Sequence, residues 1–340
     1  MNLETIPPMK CTNILTAILV GTTCAIAAAQ APTIDRDGTC DASAVAMLDS
    51  QRIIIASDED NILRVYKIGE PGGPIEELNL DKFLMTEAKH PEADIEAAAR
   101  VGDRIYFITS HGCNRAGEQR PGRQRFFAID IKGLGVKGPK GEPKLTTVGK
   151  AYQHLLDALT ADSQLAKYDF KSGANLSTEK TGALNIEGLS AMPDGGVMIG
   201  FRSPLHEGKA ILLPMTNPDK VIEGKRPTFA APIELDLGGR GTRGIEYWPT
   251  RKKYVILAGA ATDEDKSFAI YLWSGVKDEP PTPIEIDFGD LHPESVAIDL
   301  DTESLLIVSD DGSRELLGQN CKDLPAAQRL FRTVRMAIEE

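Results

Sequence analysis

One short unit recurs along this chain. A charged or small polar residue is followed by a small residue, an alternating strand, a tight turn, and a second strand that closes on Gly, Ser or Ala. Copies begin at Glu96 (EAAARVGDRIYFITS), Glu187 (EGLSAMPDGGVMIG), Arg243 (RGIEYWPTRKKYVILAG) and Glu294 (ESVAIDLDTESLLIVS), with a degenerate copy at Ser43 (SAVAMLDSQRIIIAS). The closing residues fall near 57, 110, 200, 259 and 309. Self-similarity at a period near fifty residues points to a propeller or solenoid. Strand signals outside each unit complete blades of up to four antiparallel strands, joined by Gly- and Pro-rich turns.

The expected fold is therefore all-β: a β-propeller of five blades, with a short helical insertion. Six blades are possible if an atypical one hides in the insertion or near Pro32–Gly38. The rival, a two-layer sandwich, has no need of five copies of one strand–turn–strand unit. Ala151–Ala166 carries Tyr152, Leu155, Leu156 and Leu159 at helical spacing, so the insertion, at about 150–183, should begin with a helix. In the last blade the third strand is expected near Arg314–Leu317 and the fourth at Phe331–Ala337.

The amino end reads as an export leader. Lys10 precedes the apolar Asn13–Ile26 run, and Ala27-Ala28-Ala29 follows. That is a basic segment, a short apolar segment and a small-residue cleavage site, too short to span a membrane. Residues 1–29 are expected to be a signal peptide, with 1–8 an over-called start, and residues 30–340 a single domain in the periplasm or outside the cell. Cys40, Cys113 and Cys321 remain after cleavage. An oxidising compartment allows one disulfide. Cys40 and Cys321 lie near the two ends of the domain, which meet in a closed ring, so they are the expected pair. The absence of C-x-x-C argues against redox catalysis and a structural zinc knot.

Lys and Arg number 38 against 50 Asp and Glu, a formal charge of −12 with no basic tract. Nucleic acid is an improbable partner for such a surface. No G-x-S-x-G elbow, Walker loop or dinucleotide glycine pattern is present, so the motifs of those chemistries are missing.

In a propeller the first strand of each blade lines the central channel. Aligned copies then put Ser43, Glu96, Glu187, Arg243 and Glu294 at one level. A second level, just past the closing residues, holds Asp58, His111, Arg202 and Asp310. Crowded carboxylates raise one another's pKa unless a cation offsets them. Three readings follow. Glu96, Glu187 and Glu294 could hold a divalent metal such as calcium. Glu96, His111 and Glu187 could perform acid–base catalysis. The whole could be a solvated ion-pair cluster that only stabilises the ring. Asp58, Arg202, Arg243 and Asp310 are the candidate ligand-binding residues, and Arg115, Arg120, Arg123 and Arg125 add guanidinium groups suited to planar anions.

Ser57–Tyr66 (SDEDNILRVY), Asp94-Ile95-Glu96, Ser110-His111-Gly112, Asn185–Leu189 (NIEGL), Gly200–Pro204 (GFRSP) with Gly208-Lys209-Ala210, and Ser309–Gly312 (SDDG) together resemble the DUF3616 family of bacterial proteins. The resemblance runs from about Cys40 to Arg332. It implies a propeller-like fold and no established activity, and it carries Asp58, Glu96, His111, Glu187, Arg202, Arg243 and Asp310 as motif residues. Cys113 departs from the basic or polar residue expected there. The function expected is binding of a small polar or anionic ligand, or of a metal ion, at the channel mouth. The alternatives are a metal-dependent or acid–base hydrolase acting on a phosphoester or glycoside, and a scaffold without a small-molecule site.

Overall fold

A computed structural model describes Met1 and residues 32–132, 144–262 and 267–338. The expected leader lies outside the described residues. The chain forms a five-bladed β-propeller, each blade a four-stranded antiparallel sheet. From the hub outward, blade 1 is Ala42–Met47, Arg52–Ser57, Ile62–Lys67 and Glu76–Asn79. Blade 2 is Ile95–Val101, Arg104–Thr109, Phe126–Lys132 and Lys144–Tyr152. Blade 3 is Asn185–Ala191, Val197–Ser203, Ala210–Met215 and Ile233–Leu235. Blade 4 is Gly241–Trp248, Lys253–Gly259, Ala269–Trp273 and Thr282–Ile284. Each inner strand packs beside those of the neighbouring blades, and blade 5 returns to blade 1.

Blade 5 departs from the expectation. Its strands are Pro293–Asp299, Ser304–Ser309, Leu330–Ala337 and, outermost, Ile34–Asp37 from the amino end. The segment expected as its third strand instead makes a small hairpin, Glu315–Leu316 with Gln319–Asn320. Pro32–Gly38 thus closes the ring rather than starting a sixth blade. Arg36 fastens the closing strand: its guanidinium donates to Thr333 Oγ1 at 3.0 Å in blade 5 and to the carbonyls of Lys67 and Glu70, at 2.7 and 2.8 Å, in blade 1. A Cys40–Cys321 disulfide ties the residues after that strand to the excursion that precedes Leu330. Cys113 is free and buried.

Each blade is covered on both faces, so its second strand reads as a continuous apolar run rather than an alternating one. Ile54 packs toward blade 2, while Ile53 and Ile55 pack toward blade 5. Burying each such side chain contributes roughly 1.5–3 kcal/mol. Five apolar clusters result, one in each seam between blades. Near the axis the blades converge and side chains must be small. A Cβ on Gly200 would lie 2.6 Å from Thr242 Cγ2 of the next blade, inside any allowed contact.

The insertion contains a helix, Leu155–Ala161, shorter than expected, then a 3-10 turn, Ser163–Tyr168, and a second short helix, Phe170–Gly173. Its apolar residues extend the seam between blades 2 and 3. Leu155 and Leu159 pack into that seam, and Phe170 stacks on Phe201 with ring centres 4.7 Å apart.

Candidate functional site

The inner strand of every blade carries a β-bulge at the same place. Ala42 pairs with Ser57 and Ala44 with Ala56, leaving Ser43 as the extra residue. By the same count Glu96 is extra between Ile95 and Ala97, Glu187 between Ile186 and Gly188, Arg243 between Thr242 and Gly244, and Glu294 between Pro293 and Ser295. A bulge turns one residue out of the pleat and re-aims its side chain. All five line a single cavity of about 810 Å³ at one mouth of the hub.

The register fixes two further levels. The residues paired just before each bulge are Ser57, Thr109, Phe201, Ala258 and Ser309. The next residue in each case is Asp58, Ser110, Arg202, Gly259 or Asp310. Asp58, Arg202 and Asp310 line the cavity. Gly259 leaves room for the Arg243 stem, since a Cβ there would meet Arg243 Cγ at 2.9 Å. Two residues before each bulge stand Asp41, Asp94, Asn185, Gly241 and His292, and all but Gly241 line the cavity. The sequence reading did not use this third level. Counting back two places from the start of each copy would have found it.

His111 is not part of the cavity lining. Thr109 pairs with Ile95, so Ser110 takes the second-level position and His111 falls one place beyond it. Its backbone is left-handed, with φ 58°. The ring is buried, and its Nδ1 lies 2.8 Å from the Thr109 carbonyl, to which it can donate. Burial pushes the imidazole down to about 4, so it is neutral near pH 7. The histidine that reaches the cavity is His292.

Nine acidic side chains line the cavity against four arginines and one lysine. The arginines are already engaged. Arg202 Nη1 donates to Glu187 Oε1 at 3.0 Å, and its Nε donates to the Ala260 carbonyl. Arg243 Nη1 spans both oxygens of Glu294, lying 2.6 Å from Oε2, and Arg243 Nε lies 3.4 Å from Glu187 Oε2. Arg123 bridges Asp94 at 3.0 Å and Glu92 at 3.2 Å. At the rim, Arg115 faces Glu179 at 3.3 Å. Outside the cavity Arg120 pairs with Glu118, and Arg125 donates to the carbonyls of Leu84, Met85, Pro121 and Gln124. The basic stretch thus ties its loop to the segments around it. Beside it the insertion supplies Thr178 to the cavity wall.

Among the described residues, Asp58, Glu96 and Asp310 make no ion pair with a basic side chain. Burial, then crowding by Asp310 and Asp94, holds the Asp58 carboxyl well above the usual carboxylate range. Burial, then Asp94 and Glu187, does the same to Glu96. Burial pushes Asp310 up to about 6 and Asp41 up to about 6. Glu294 is pushed to about 7, burial outweighing the pull of Arg243. Asn185 Nδ2 donates to Glu187 Oε1 at 2.8 Å, which leaves Asn185 Oδ1 as a buried acceptor without a hydrogen-bond partner among the described residues. Asp58 Oδ1 is likewise without one.

Among the described residues, no three His, Cys, Asp or Glu side chains are grouped so as to hold a metal ion. Glu96, Glu187 and Glu294 share the cavity, but Glu187 and Glu294 turn onto Arg243. Among the described residues no helix is long and apolar enough to cross a membrane.

The family model DUF3616, described as a protein of unknown function, matches residues 41–137 and 141–315. No curated protein matches the chain. The following solved structures resemble it distantly. An extracellular domain assigned to a hybrid two component system of B. thetaiotaomicron is 13% identical with a TM-score of 0.33 over 80% of this chain; the chain spans a quarter of that protein's length (25%). Glutaminyl cyclase from Myxococcus xanthus is 11% identical with a TM-score of 0.43, over 92% of this chain and 98% of that one. Virginiamycin B lyase from Staphylococcus aureus is 11% identical with a TM-score of 0.36, over 91% and 75% respectively.

Proposed function

Because the chain belongs to the DUF3616 family, whose description assigns no function, we propose its role from the hub itself: it is a binding protein that takes a small polar molecule in the cavity at the channel mouth. The observation that carries this reading is the fivefold bulge. Each blade spends a register break to turn one side chain into the same space, and the space stays open. A ring built only for stability would pair each central acid with a base. Glu187 and Glu294 fit that description, whereas Asp58 and Glu96 do not. An anionic ligand is the less favoured class, since the arginines that would hold it already bind carboxylates.

We also infer export. The leader-like residues 1–29 and the Cys40–Cys321 disulfide both suit an oxidising compartment outside the cytoplasm.

Thermal-shift screening of the disulfide-intact protein against a library of small polar metabolites tests the binding reading. A hit should raise the melting temperature, and the rise should vanish in the Asp58→Asn, Asn185→Leu double variant. Hits that shift the double variant equally, or no hit at all, would overturn it.

A further inference from the structure

The hub is electrically lopsided in a way that follows blade order. Blades 3 and 4 supply Glu187, Arg202 and Arg243, and blade 5 adds Glu294; these four pair with one another. From blade 5 through blade 1 to blade 2 the lining carries Asp310, Asp58 and Glu96, and none of the three is within ion-pair distance of a basic side chain among the described residues. Asn185, 5% exposed, closes the gap between the two arcs. A carboxylate can only accept, so the Asn185 amide nitrogen must be the group facing Glu187, and its carbonyl oxygen is the acceptor left over. The wall thus offers negative charge and unpartnered acceptors together.

We propose that the ligand is a small organic cation, bound through an ammonium group by Asp58 and Glu96 with Asn185 accepting a further N–H; this rests on the hub-cavity reading above. An ammonium brings compact positive charge and several N–H donors with no acceptor, the complement of this wall. A metal ion would need a tighter grouping of ligands than the described residues provide. A neutral polyol could donate to the same oxygens but would not offset the charge that these carboxyls carry once deprotonated.

The charged groups around these two acids set the linkage. Asp58 is faced by Asp310, Asp94, Asp41 and Glu59, and Glu96 by Asp94, Glu187, Asp58 and Glu294. Among bases, Arg123 senses Glu96, and Lys322 lies on the cavity wall. With both carboxyls held above their usual range, an entering cation takes the place of protons, and binding releases them.

Isothermal titration of the disulfide-intact protein at pH 7 tests this with five probes: spermidine, glucosamine, sorbitol, citrate and calcium chloride. Paired buffers of different ionisation enthalpy count the protons released. Spermidine or glucosamine is expected to bind with proton release and to weaken at least tenfold in Asp58→Asn and in Glu96→Gln, both of which should melt no lower than wild type. Asn185→Leu supplies the same test should either variant fail to fold. Sorbitol or citrate binding without the amines would sink the ammonium assignment and leave the polar-ligand reading standing. So would calcium binding at these residues that displaces the amines. Failure of all five, together with an empty metabolite screen, would sink both.

Discussion

Glu187 and Arg202 are hydrogen-bonded at 3.0 Å, and each is the surplus residue of a bulge on its own strand. Asn185 pairs with Ser203 and Ile186 with Phe201, so Arg202 is extruded from the second strand of blade 3 just as Glu187 is from the first. Two register breaks in one hairpin therefore build a single ion pair. It anchors the neutralised side of the hub, beyond which Asp58 and Glu96 find no basic partner among the described residues.

Removing the cation at the centre of that side should be costly. Arg243→Met leaves Glu187 and Glu294 buried without their shared partner. Breaking such a buried pair costs on the order of 3–5 kcal/mol. Urea denaturation should show the loss, and the double variant Arg243→Met, Glu294→Gln should recover part of it. A loss below about 1 kcal/mol would show that the cluster is incidental to stability.

The unpaired side should behave in the opposite sense. Asp58→Asn and Glu96→Gln remove charge that burial and neighbouring acids disfavour. Each variant is expected to raise the melting temperature at pH 8, by about 2–4 °C per kcal/mol relieved, while weakening ligand binding. Lowered melting temperatures in both would return these residues to a structural role.

Stability should fall as pH rises through neutrality. Asp41 and Asp310 are pushed to about 6 and Glu294 to about 7, with Asp58 and Glu96 also raised. Unfolded carboxyls titrate near ~4, so over this range the folded protein holds protons that the unfolded chain has lost, and deprotonation favours unfolding. His111, pushed down to about 4, works the other way, but only up to its unfolded value of about 6.5. The net decline should therefore be clearest between about pH 6.5 and 8.5, measured as a falling urea midpoint. A midpoint that rises across that window would contradict the buried-acid picture.

The two histidines separate the levels of the hub. His111→Gln should leave ligand affinity unchanged within about twofold, because the ring lies outside the cavity. His292→Ala, at the third level, should alter it. Titrations on both variants decide the point, and the reverse pattern would mean that the register assignment is wrong.

Reduction of Cys40–Cys321 should destabilise the protein strongly, because the bond closes a separation of 281 residues. Chain-entropy reasoning puts a loop this long on the order of 5–6 kcal/mol. The Cys40→Ser, Cys321→Ser variant should therefore unfold at markedly lower urea. An unchanged midpoint would exclude a stabilising role.

The blade count and the first hub level were legible in the sequence because each copy repeats its own bulge. Aligning the copies on Ser43, Glu96, Glu187, Arg243 and Glu294 aligned the register breaks without any knowledge of them. The second level was read from the closing small residues instead, and Ser110 is such a residue that lies one place beyond Thr109, the residue paired with Ile95. That single offset put His111 where Ser110 belongs. Blade 5 was misread at its third strand because its outermost strand, Ile34–Asp37, comes from the far end of the chain, beyond any local pattern. Which acids find a base was not legible either. Arg202 reaches Glu187 only through a bulge on the second strand, and no spacing in the sequence announces it.

The disulfide has one more consequence. Everything from Cys40 to Cys321 is a covalent circle, and only the two flanking segments hang from it. A protease that severs one exposed loop within that circle would release nothing: the chain would stay one molecule until the sulfur bridge was reduced. A protein built this way could lose a peptide bond at its surface and keep all five blades attached.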